Sequence, residues 1–252
     1  MTEVAAVVVA HGPEPELNEC LTALAPQVDE LVLVANAVDP LPSLPADMLI
    51  VQIERPQGYA ANANRGIAMT HSPYVVVCNT DAIATPGSVR TLREFASSRP
   101  RAGIVGPELR YPDGSWQAAR RSFPTLGTTL LRRPPLRFFF DPERWQRAHY
   151  LLDDRSATAT EADWMMGAFL LLRRDMLDEL GGFDEGFRLY GEDIDLCYRA
   201  AKAGWERWFV PEAVVYHTYA AVIDHRFLTR RTIWHWRSMA RFARKHPERL
   251  FT

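Results

Sequence analysis

Short apolar runs separated by helix-like stretches restrict the fold of this chain more than any other feature. The runs cover residues 4–10, 30–35, 48–54 and 74–78, and we interpret each as a buried strand. Leu17, Leu21 and Leu24 recur at helical spacing after the first run. A second helix is predicted after the fourth run, from the spacing of Val89, Leu92 and Phe95, with Pro86 suited to its first turn. This alternation predicts an α/β protein with βαβ units and a mostly parallel sheet covered on both faces.

The pattern changes after residue 107. Pro112-Asp113-Gly114 lies between two short runs and predicts a hairpin turn. A strand is predicted over 164–172, a short helix ending at Gly181-Gly182, a helix over 192–203, a last strand over 208–216 and a basic helix over 227–245. We therefore predict one domain over 1–222, with an irregular basic and aromatic insertion at 120–162, and a basic C-terminal helix within 223–252.

Composition favours a soluble globular protein, since 47% of the 252 residues are hydrophobic and 24% are charged. The three cysteines, Cys20, Cys78 and Cys197, form no C-x-x-C pair, which argues against a disulfide framework or a zinc knuckle. No charged-then-apolar leader opens the sequence, and no apolar run approaches the roughly 20 residues that span a bilayer. We expect a reducing, cytoplasmic location.

Basic residues are concentrated in two segments of a chain whose net charge is -2. Residues 120–147 contain seven arginines against two acids, and residues 226–252 contain eight lysines or arginines against one. A nucleic-acid-binding protein is one interpretation, but the rest of the chain is acidic and no recognition module is present, so we expect no nucleic-acid partner. Trp234 and Trp236 beside arginines favour a helix at a membrane interface. The alternative is a solvated helix that closes the domain or forms a dimer contact.

Polar residues follow three of the predicted strands. His11-Gly12, Ala35-Asn36 and Asn79-Thr80-Asp81 should line one crevice, because ligands bind beyond the carboxyl ends of strands in open sheets. A carboxylate at Asp81 suits Mg2+ or Mn2+ bridging a diphosphate. The alternative is an aspartate that only caps the next helix.

The segment 181–195 is rich in acids and opens a predicted helix. Asp184 or Asp195 could do no more than offset the helix dipole. A carboxylate near the crevice can also act as general base toward a sugar hydroxyl.

Several motifs together resemble the inverting GT-A glycosyltransferases of family two, and within them the rhamnosyltransferase-like branch. The likeness runs from Val4 to about His246, and the order of the motifs makes it more specific than any one of them. The matching segments are residues 7–9, 58–66, 79–81, 163–168, 181–185, 191–196 and 215–217.

The resemblance implies a GT-A fold, a single Rossmann-like domain, and a role for each matching residue. Asp81 would hold Mn2+ or Mg2+ on the donor diphosphate, and His217 would complete that metal site, although a lone histidine at a strand end is more often structural. Asp193 would be the catalytic base. The donor-binding residues would be His11, Asn36, Asp39, Arg65, Asn79 and Thr80. The acceptor or sugar pocket would contain Asp163, Trp164, Gly167 and Glu192.

Two positions depart from the family pattern. Ala35 stands where the family has an aspartate that contacts the nucleoside; Asp39 could substitute, and dTDP- and UDP-sugar donors both stay open. Asn79 replaces the first acid of the D-x-D-like motif, which leaves Asp81 as the main ligand. The expected acceptor is a lipid-linked or polysaccharide glycan. A homodimer is possible, and so is peripheral attachment to the cytoplasmic face of an anionic membrane. Ala35 also supports an alternative: a catalytically weak homologue that serves as a binding or partner subunit.

Overall fold

The first apolar run forms the centre of the sheet, because every one of its residues is buried. This strand, β1 (Val4–Ala10), pairs in parallel with β2 (Glu30–Asn36) on one side and with β4 (Tyr74–Asn79) on the other. β3 (Leu49–Ile53) extends the parallel sheet beyond β2. The computed structural model describes residues 3–12, 14–36, 47–124, 151, 155–218 and 230–250.

The second half of the chain completes the sheet with mixed strands. They are β5 (Ala82–Ala84), β6 (Ala102–Arg110), β7 (Trp116–Gln117), β8 (Arg120–Arg121), β9 (Thr160–Glu161), β10 (Trp164–Met165), β11 (Phe169–Arg173) and β12 (Glu206–His217). The order is β3-β2-β1-β4-β11-β6-β12-β5, with β7 on β6 and β9 on β12, while β8 and β10 form a separate pair. β12 runs parallel to β6, and β11 runs antiparallel to both of its neighbours. The predicted α/β class with a mostly parallel sheet is confirmed.

Helices cover both faces of the sheet. They are α1 (Leu17–Leu24), α2 (Tyr59–Ala68), α3 (Ser88–Ser97), α4 (Arg174–Leu180), α5 (Glu192–Lys202) and α6 (Arg230–Lys245). Successive residues of β1 point to opposite faces, as strand geometry requires. Val7 and Val9 therefore pack with α2 and α5, whereas Val8 packs with α1 and α3.

Two elements of the first half differ from their predictions. β3 was predicted to be buried, but Leu49 and Ile50 are 42% and 40% exposed, because β3 lies at the end of the strand order next to β2 alone. Pro86 lies outside the helix that it was predicted to start. α3 begins at Ser88 because Gly87, at φ 85°, adopts the left-handed conformation that ends the preceding loop.

The strand predicted over 164–172 is two strands. β10 pairs with β8, β11 pairs with β4 and β6, and the turn between them contains Gly167. The predicted hairpin is confirmed, since β6 and β7 pair in antiparallel around Gly114, at φ 84°. Most of the predicted insertion at 120–162 lies outside the described residues.

The C-terminal helix packs against the rest of the protein. α6 confirms the predicted basic helix from Arg230 onward, and Phe242 on this helix is 4% exposed within the same apolar cluster as α2 and α5. Among the helices of the described segments, none combines the length and the apolarity needed to cross a bilayer.

Candidate active site

The ends of β1 and β2 meet at one edge of the sheet. Asn36 Nδ2 lies 2.7 Å from His11 Nδ1 and donates to the Gln57 carbonyl oxygen at 3.2 Å, while Asn36 Oδ1 accepts from Gln57 N at 2.9 Å. The His11 ring stacks on Tyr59, with ring centroids 6.1 Å apart. The buried Asn36 amide thus joins the β1 and β2 ends to the loop before α2. Ala35 is fully buried, and its side chain lies in the apolar cluster with α1.

Asp81 and His217 come together because β5 pairs with the end of β12. In that ladder Ala82 is opposite His217, and Thr218 N donates to the Asp81 carbonyl oxygen at 3.1 Å. Asp81 Oδ1 lies 3.4 Å from His217 Nε2. On the far side of the buried ring, His217 Nδ1 lies 2.8 Å from Gln117 Oε1, an atom that can only accept. Nδ1 therefore donates to Gln117, which orients Nε2 toward Asp81.

This pair fits a divalent cation that is also bound by phosphate oxygens. Two ligand atoms about 2.1 Å from a cation and at right angles to each other lie about 3.0 Å apart, close to the observed separation. Across the described part of the chain, no group of three His, Cys, Asp or Glu side chains is placed to hold a metal ion. Two protein ligands suit Mg2+ or Mn2+, which keep other positions for water and substrate phosphates.

Glu14 is a carboxylate of this region that sequence reasoning missed. Its Oε2 accepts from Thr80 Oγ1 at 2.7 Å and from His11 N at 3.3 Å. Burial raises the pKa of Glu14 above its ordinary value, and the nearby charge of Asp81 adds to the rise. Glu14 thus ties the loop after β1 to the segment that carries Asp81. Its position just past the end of β1 was a usable signal.

The carboxylate of Asp193 is held at the start of α5. Its Oδ2 accepts from Gly167 N at 3.0 Å, and its Oδ1 accepts from Ile194 N at 2.8 Å. A β-carbon at Gly167 would lie 3.2 Å from Asp193 Cβ and 3.4 Å from Oδ2, so this close approach favours glycine. Burial raises the pKa of Asp193, while the two backbone hydrogen bonds and the charge of Arg121 oppose the rise. A carboxylate with a raised pKa is better matched to accept a proton near neutral pH.

Glu192, the neighbour of Asp193, is buried, and its Oε2 has no hydrogen-bond partner. Burial, with a second contribution from the charge of Asp193, raises the pKa of Glu192 to about 8. Burial thus raises the pKa of both adjacent carboxyl groups, and acids with shifted pKa values are concentrated at functional sites.

The turn at 166–168 joins the two ends of the site. Asn79 N donates to the Ala168 carbonyl oxygen at 2.9 Å, two residues before Asp81, and the adjacent Gly167 N holds Asp193. Tyr59 Oη donates to the Gly167 carbonyl oxygen at 3.4 Å. Burial raises the pKa of Tyr59 well above its usual value, and the charges of Glu192, Asp193 and Asp81 all contribute to that rise. The phenol therefore stays neutral between the two carboxylate groups.

Trp164 and Asp163 form hydrogen bonds to the backbone just after β8. Trp164 is 4% exposed and its Nε1 donates to the Ser122 carbonyl oxygen at 2.8 Å. Asp163 Oδ2 accepts from Phe123 N at 2.8 Å. Arg121, opposite Trp164 in the ladder, has its guanidinium carbon 5.1 Å from the Trp164 ring centroid.

Two of the residues predicted to bind the sugar donor, Arg65 and Asp39, have no contact described above. Arg65 is exposed in the last turn of α2, and Asp39 lies outside the described residues. Gln117 and Arg121, like Glu14, were not identified from the sequence. Gln117 gave no local signal, because its partner His217 lies 100 positions away in the chain.

Comparisons with known proteins identify the family of this chain. The family model for glycosyltransferase like family 2 matches residues 2–239. The chain is 32% identical over 240 residues, 86% of this chain and 76% of the other, to the N-acetylglucosaminyl-diphospho-decaprenol L-rhamnosyltransferase of Mycobacterium tuberculosis (strain CDC 1551 / Oshkosh). It is 39% identical over 87 residues to rhamnosyltransferase WbbL of Escherichia coli (strain K12), covering 34% of this chain and 33% of that protein.

A solved structure, that of GalNAc-T7 with UDP, GalNAc and Mn2+, shares the fold. It superposes with a TM-score of 0.65 over 86% of this chain and 43% of that chain, at 17% identity. The match to the family model extends over nearly the whole sequence. The chain therefore belongs to glycosyltransferase family 2, with a GT-A fold, and is a glycosyltransferase of the rhamnosyltransferase-like branch.

Proposed function

We propose that this chain transfers a rhamnosyl group from a nucleotide diphosphate donor to a sugar hydroxyl of a lipid-diphosphate-linked acceptor, with inversion at the anomeric carbon. The single observation that carries the proposal is the turn at 166–168. Through its backbone it bonds both to Asn79, two residues before Asp81, and to Asp193. This turn supports the proposal because it links the segment of the proposed cation ligand Asp81 to the proposed base Asp193.

The donor end would be formed by Asp81 and His217, with the ring of His217 oriented by Gln117. Mn2+ or Mg2+ bound there would neutralise the charge that develops on the departing diphosphate. Hydrogen bonds from His11 N and Thr80 Oγ1 to Glu14 hold the loop after β1 against the loop after β4. We expect these contacts to affect donor affinity more than the chemical step.

The acceptor end would use Asp193 as general base. Asp193 takes the proton of the acceptor hydroxyl while that oxygen forms a bond to the anomeric carbon. The bond from this carbon to the diphosphate oxygen breaks on the opposite face, and the nucleoside diphosphate leaves with the electron pair. One such displacement inverts the anomeric configuration.

The substrate class comes from the relatives. The M. tuberculosis protein is named for L-rhamnose transfer to N-acetylglucosaminyl-diphospho-decaprenol, and the E. coli protein is also named a rhamnosyltransferase. We propose the same acceptor class here, with a dTDP- or UDP-sugar as donor. A lipid acceptor also supports peripheral attachment to the cytoplasmic face of the membrane.

Replacing Asp193 by asparagine tests the proposal. Asp193→Asn keeps the shape of the side chain and one of its two backbone hydrogen bonds, since only the amide oxygen can still accept from Gly167 N or Ile194 N. Because the variant lacks the proton acceptor, kcat should fall about 10²- to 10⁴-fold. Calorimetry should give an unchanged Kd for the nucleotide sugar in the presence of Mn2+. Transfer is measured with dTDP-rhamnose and a UDP-sugar panel on a short-chain N-acetylglucosaminyl-diphospho-lipid, and NMR of the product gives the anomeric configuration.

Asp178→Asn is the matched control, because Asp178 is an exposed acid on α4 and should leave turnover unchanged. Full activity of the Asp193→Asn variant would exclude Asp193 as the base, and a product of retained configuration would exclude the single displacement. A wild-type protein that binds no nucleotide sugar would instead favour the partner-subunit alternative.

A further inference from the structure

Arg121 lies beside Trp164, a residue of the proposed acceptor pocket. It lies on β8, opposite Trp164 of β10, with its guanidinium carbon 5.1 Å from the Trp164 ring centroid. The Trp164 ring is itself held by the hydrogen bond from Nε1 to the Ser122 carbonyl oxygen at 2.8 Å. A guanidinium stacked on a fixed indole loses less side-chain freedom when it binds an anion.

The position of β8 connects Arg121 to the proposed base, Asp193, through β10. β10 runs directly into the turn whose Gly167 N donates to Asp193 Oδ2, and β8 pairs along β10. Arg121 therefore belongs to the structural unit that holds Asp193, whereas Asp81 and His217 lie at the end of β12 and β5. A second arginine, Arg249, has its guanidinium carbon 5.4 Å from the ring centroid of Phe123, which is two residues after Arg121 in the chain.

An acceptor of the proposed class brings negative charge toward two carboxyl groups. Asp193 is half-buried beside the buried Glu192, and an ionised Asp193 would repel a diphosphate attached to the acceptor sugar unless a cation faces that diphosphate. A planar guanidinium is suited to this, because it can donate two parallel hydrogen bonds to phosphate oxygens.

We propose that Arg121 binds the diphosphate of the lipid-linked acceptor and thereby makes the enzyme prefer such acceptors over neutral glycosides. This inference rests on the proposed function, since it assigns the anionic part of the same acceptor. The reaction then involves two diphosphates at different places. The donor diphosphate would lie at Asp81 and His217, and the acceptor diphosphate at Arg121.

The test compares two acceptors that share the sugar and differ in the anion. Transfer is measured to a short-chain N-acetylglucosaminyl-diphospho-lipid and to an octyl N-acetylglucosaminide, with wild type, Arg121→Gln and Arg121→Lys. The charge of Arg121 also lowers the pKa of Asp193, so both acceptors are compared on the alkaline plateau of the pH profile, where Asp193 is ionised in every variant. There Arg121→Gln should lower kcat/KM for the diphosphate acceptor about 10- to 100-fold, because charge-assisted hydrogen bonds are lost, and should leave kcat/KM for the neutral acceptor within about threefold. Arg121→Lys keeps the charge but loses the paired hydrogen bonds, so its kcat/KM for the diphosphate acceptor should lie between those of wild type and Arg121→Gln. Arg90→Gln, an exposed arginine on α3, is the control that should change neither value.

Other outcomes overturn the inference in distinguishable ways. An equal loss on both acceptors, with the acid limb of the pH profile moved to higher pH, would show that Arg121 acts by lowering the pKa of Asp193. A raised KM for the donor would assign Arg121 to the donor diphosphate. Thermal unfolding of each variant separates these results from a loss of folded protein. If wild type transfers to neither acceptor, the proposed function fails, and this inference with it.

Discussion

Glu192 shows how folding can change the ionisation of a single residue. The side chain is 8% exposed, and burial together with the charge of Asp193 raises its pKa from 4.5 to about 8. Folding therefore strengthens proton binding at this carboxyl group. The free energy of unfolding should fall as pH rises between the unfolded pKa of 4.5 and the folded pKa of about 8, because the unfolded chain releases this proton first.

Glu192→Gln should remove this pH dependence, because the amide resembles the protonated acid and does not ionise. At pH 9 the variant should be more stable than wild type, by on the order of 4 kcal/mol, whereas at pH 5 the difference should be small. Urea unfolding at both pH values measures the effect. Parallel stability curves for the two proteins would contradict the raised pKa.

The sequence identified the Glu192-Asp193 pair but not its electrostatics. Which acid is more buried depends on contacts of α5 with Tyr59 and Gly167, which are distant in the chain. The pair could be found from a motif, but its pKa values needed the packed structure.

At the scale of elements, buried and partly buried ion pairs join α6 to α5 and to the loop before it. Asp195 is fully buried and accepts from Arg199 Nε at 2.7 Å, from Lys245 Nζ and from His246 Nε2, the last two at 2.9 Å. Asp184 accepts from Arg241 and Lys245; although burial opposes it, these hydrogen bonds hold the pKa of Asp184 well below its usual range. The two acids do more than offset a helix dipole, since they anchor α6.

Asp195→Asn should destabilise the protein strongly. The substitution leaves the cations around a buried position without their counter-charge, which costs about 3 kcal/mol or more. Urea unfolding and limited proteolysis of α6 measure the loss. Asp178→Asn removes an exposed acid and should shift the free energy of unfolding by less than about 0.5 kcal/mol. Equal stability of the two variants would mean that Asp195 does not anchor the helix.

Element boundaries followed from the sequence wherever burial alone decides them. β1 was predicted at its observed limits because all of its residues face the core. The break between β10 and β11 was not predictable, because the apolar sequence continues through Met165-Met166 and the break depends on the contact of Gly167 with Asp193. Local hydrophobic patterns therefore predict the strands. The turns of this site depend on contacts with residues distant in the chain, and local patterns do not predict them.

At the scale of the whole molecule, charge and exposed apolar surface coincide on α6. Ile233 and Trp236 are 52% and 40% exposed, and the exposed arginines Arg237 and Arg244 follow at helical spacing on the same face. Phe242 anchors the opposite face in the core. This arrangement supports the proposed contact with an anionic lipid surface.

Removing the two exposed charges should weaken membrane binding without disturbing the core. Each basic residue near an anionic surface contributes about 1 kcal/mol, so Arg237→Gln with Arg244→Gln should lower the partition coefficient roughly 30-fold. Sedimentation with vesicles containing phosphatidylglycerol measures it, and Arg90→Gln with Arg93→Gln on α3 is the matched control. Equal binding by both double variants would reject α6 as the contact surface. Deletion of the helix is a poorer test, because it would also remove Phe242 from the core.

The pairing of β5 with β12 affects when the protein becomes able to act during its synthesis. Asp81 leaves the ribosome before His217, which lies 217 - 81 = 136 residues further along the chain. A nascent or prematurely terminated chain that ends before β12 lacks one of the two proposed cation ligands, even if its parallel strands have already paired. Such fragments should leave the nucleotide-sugar pool untouched.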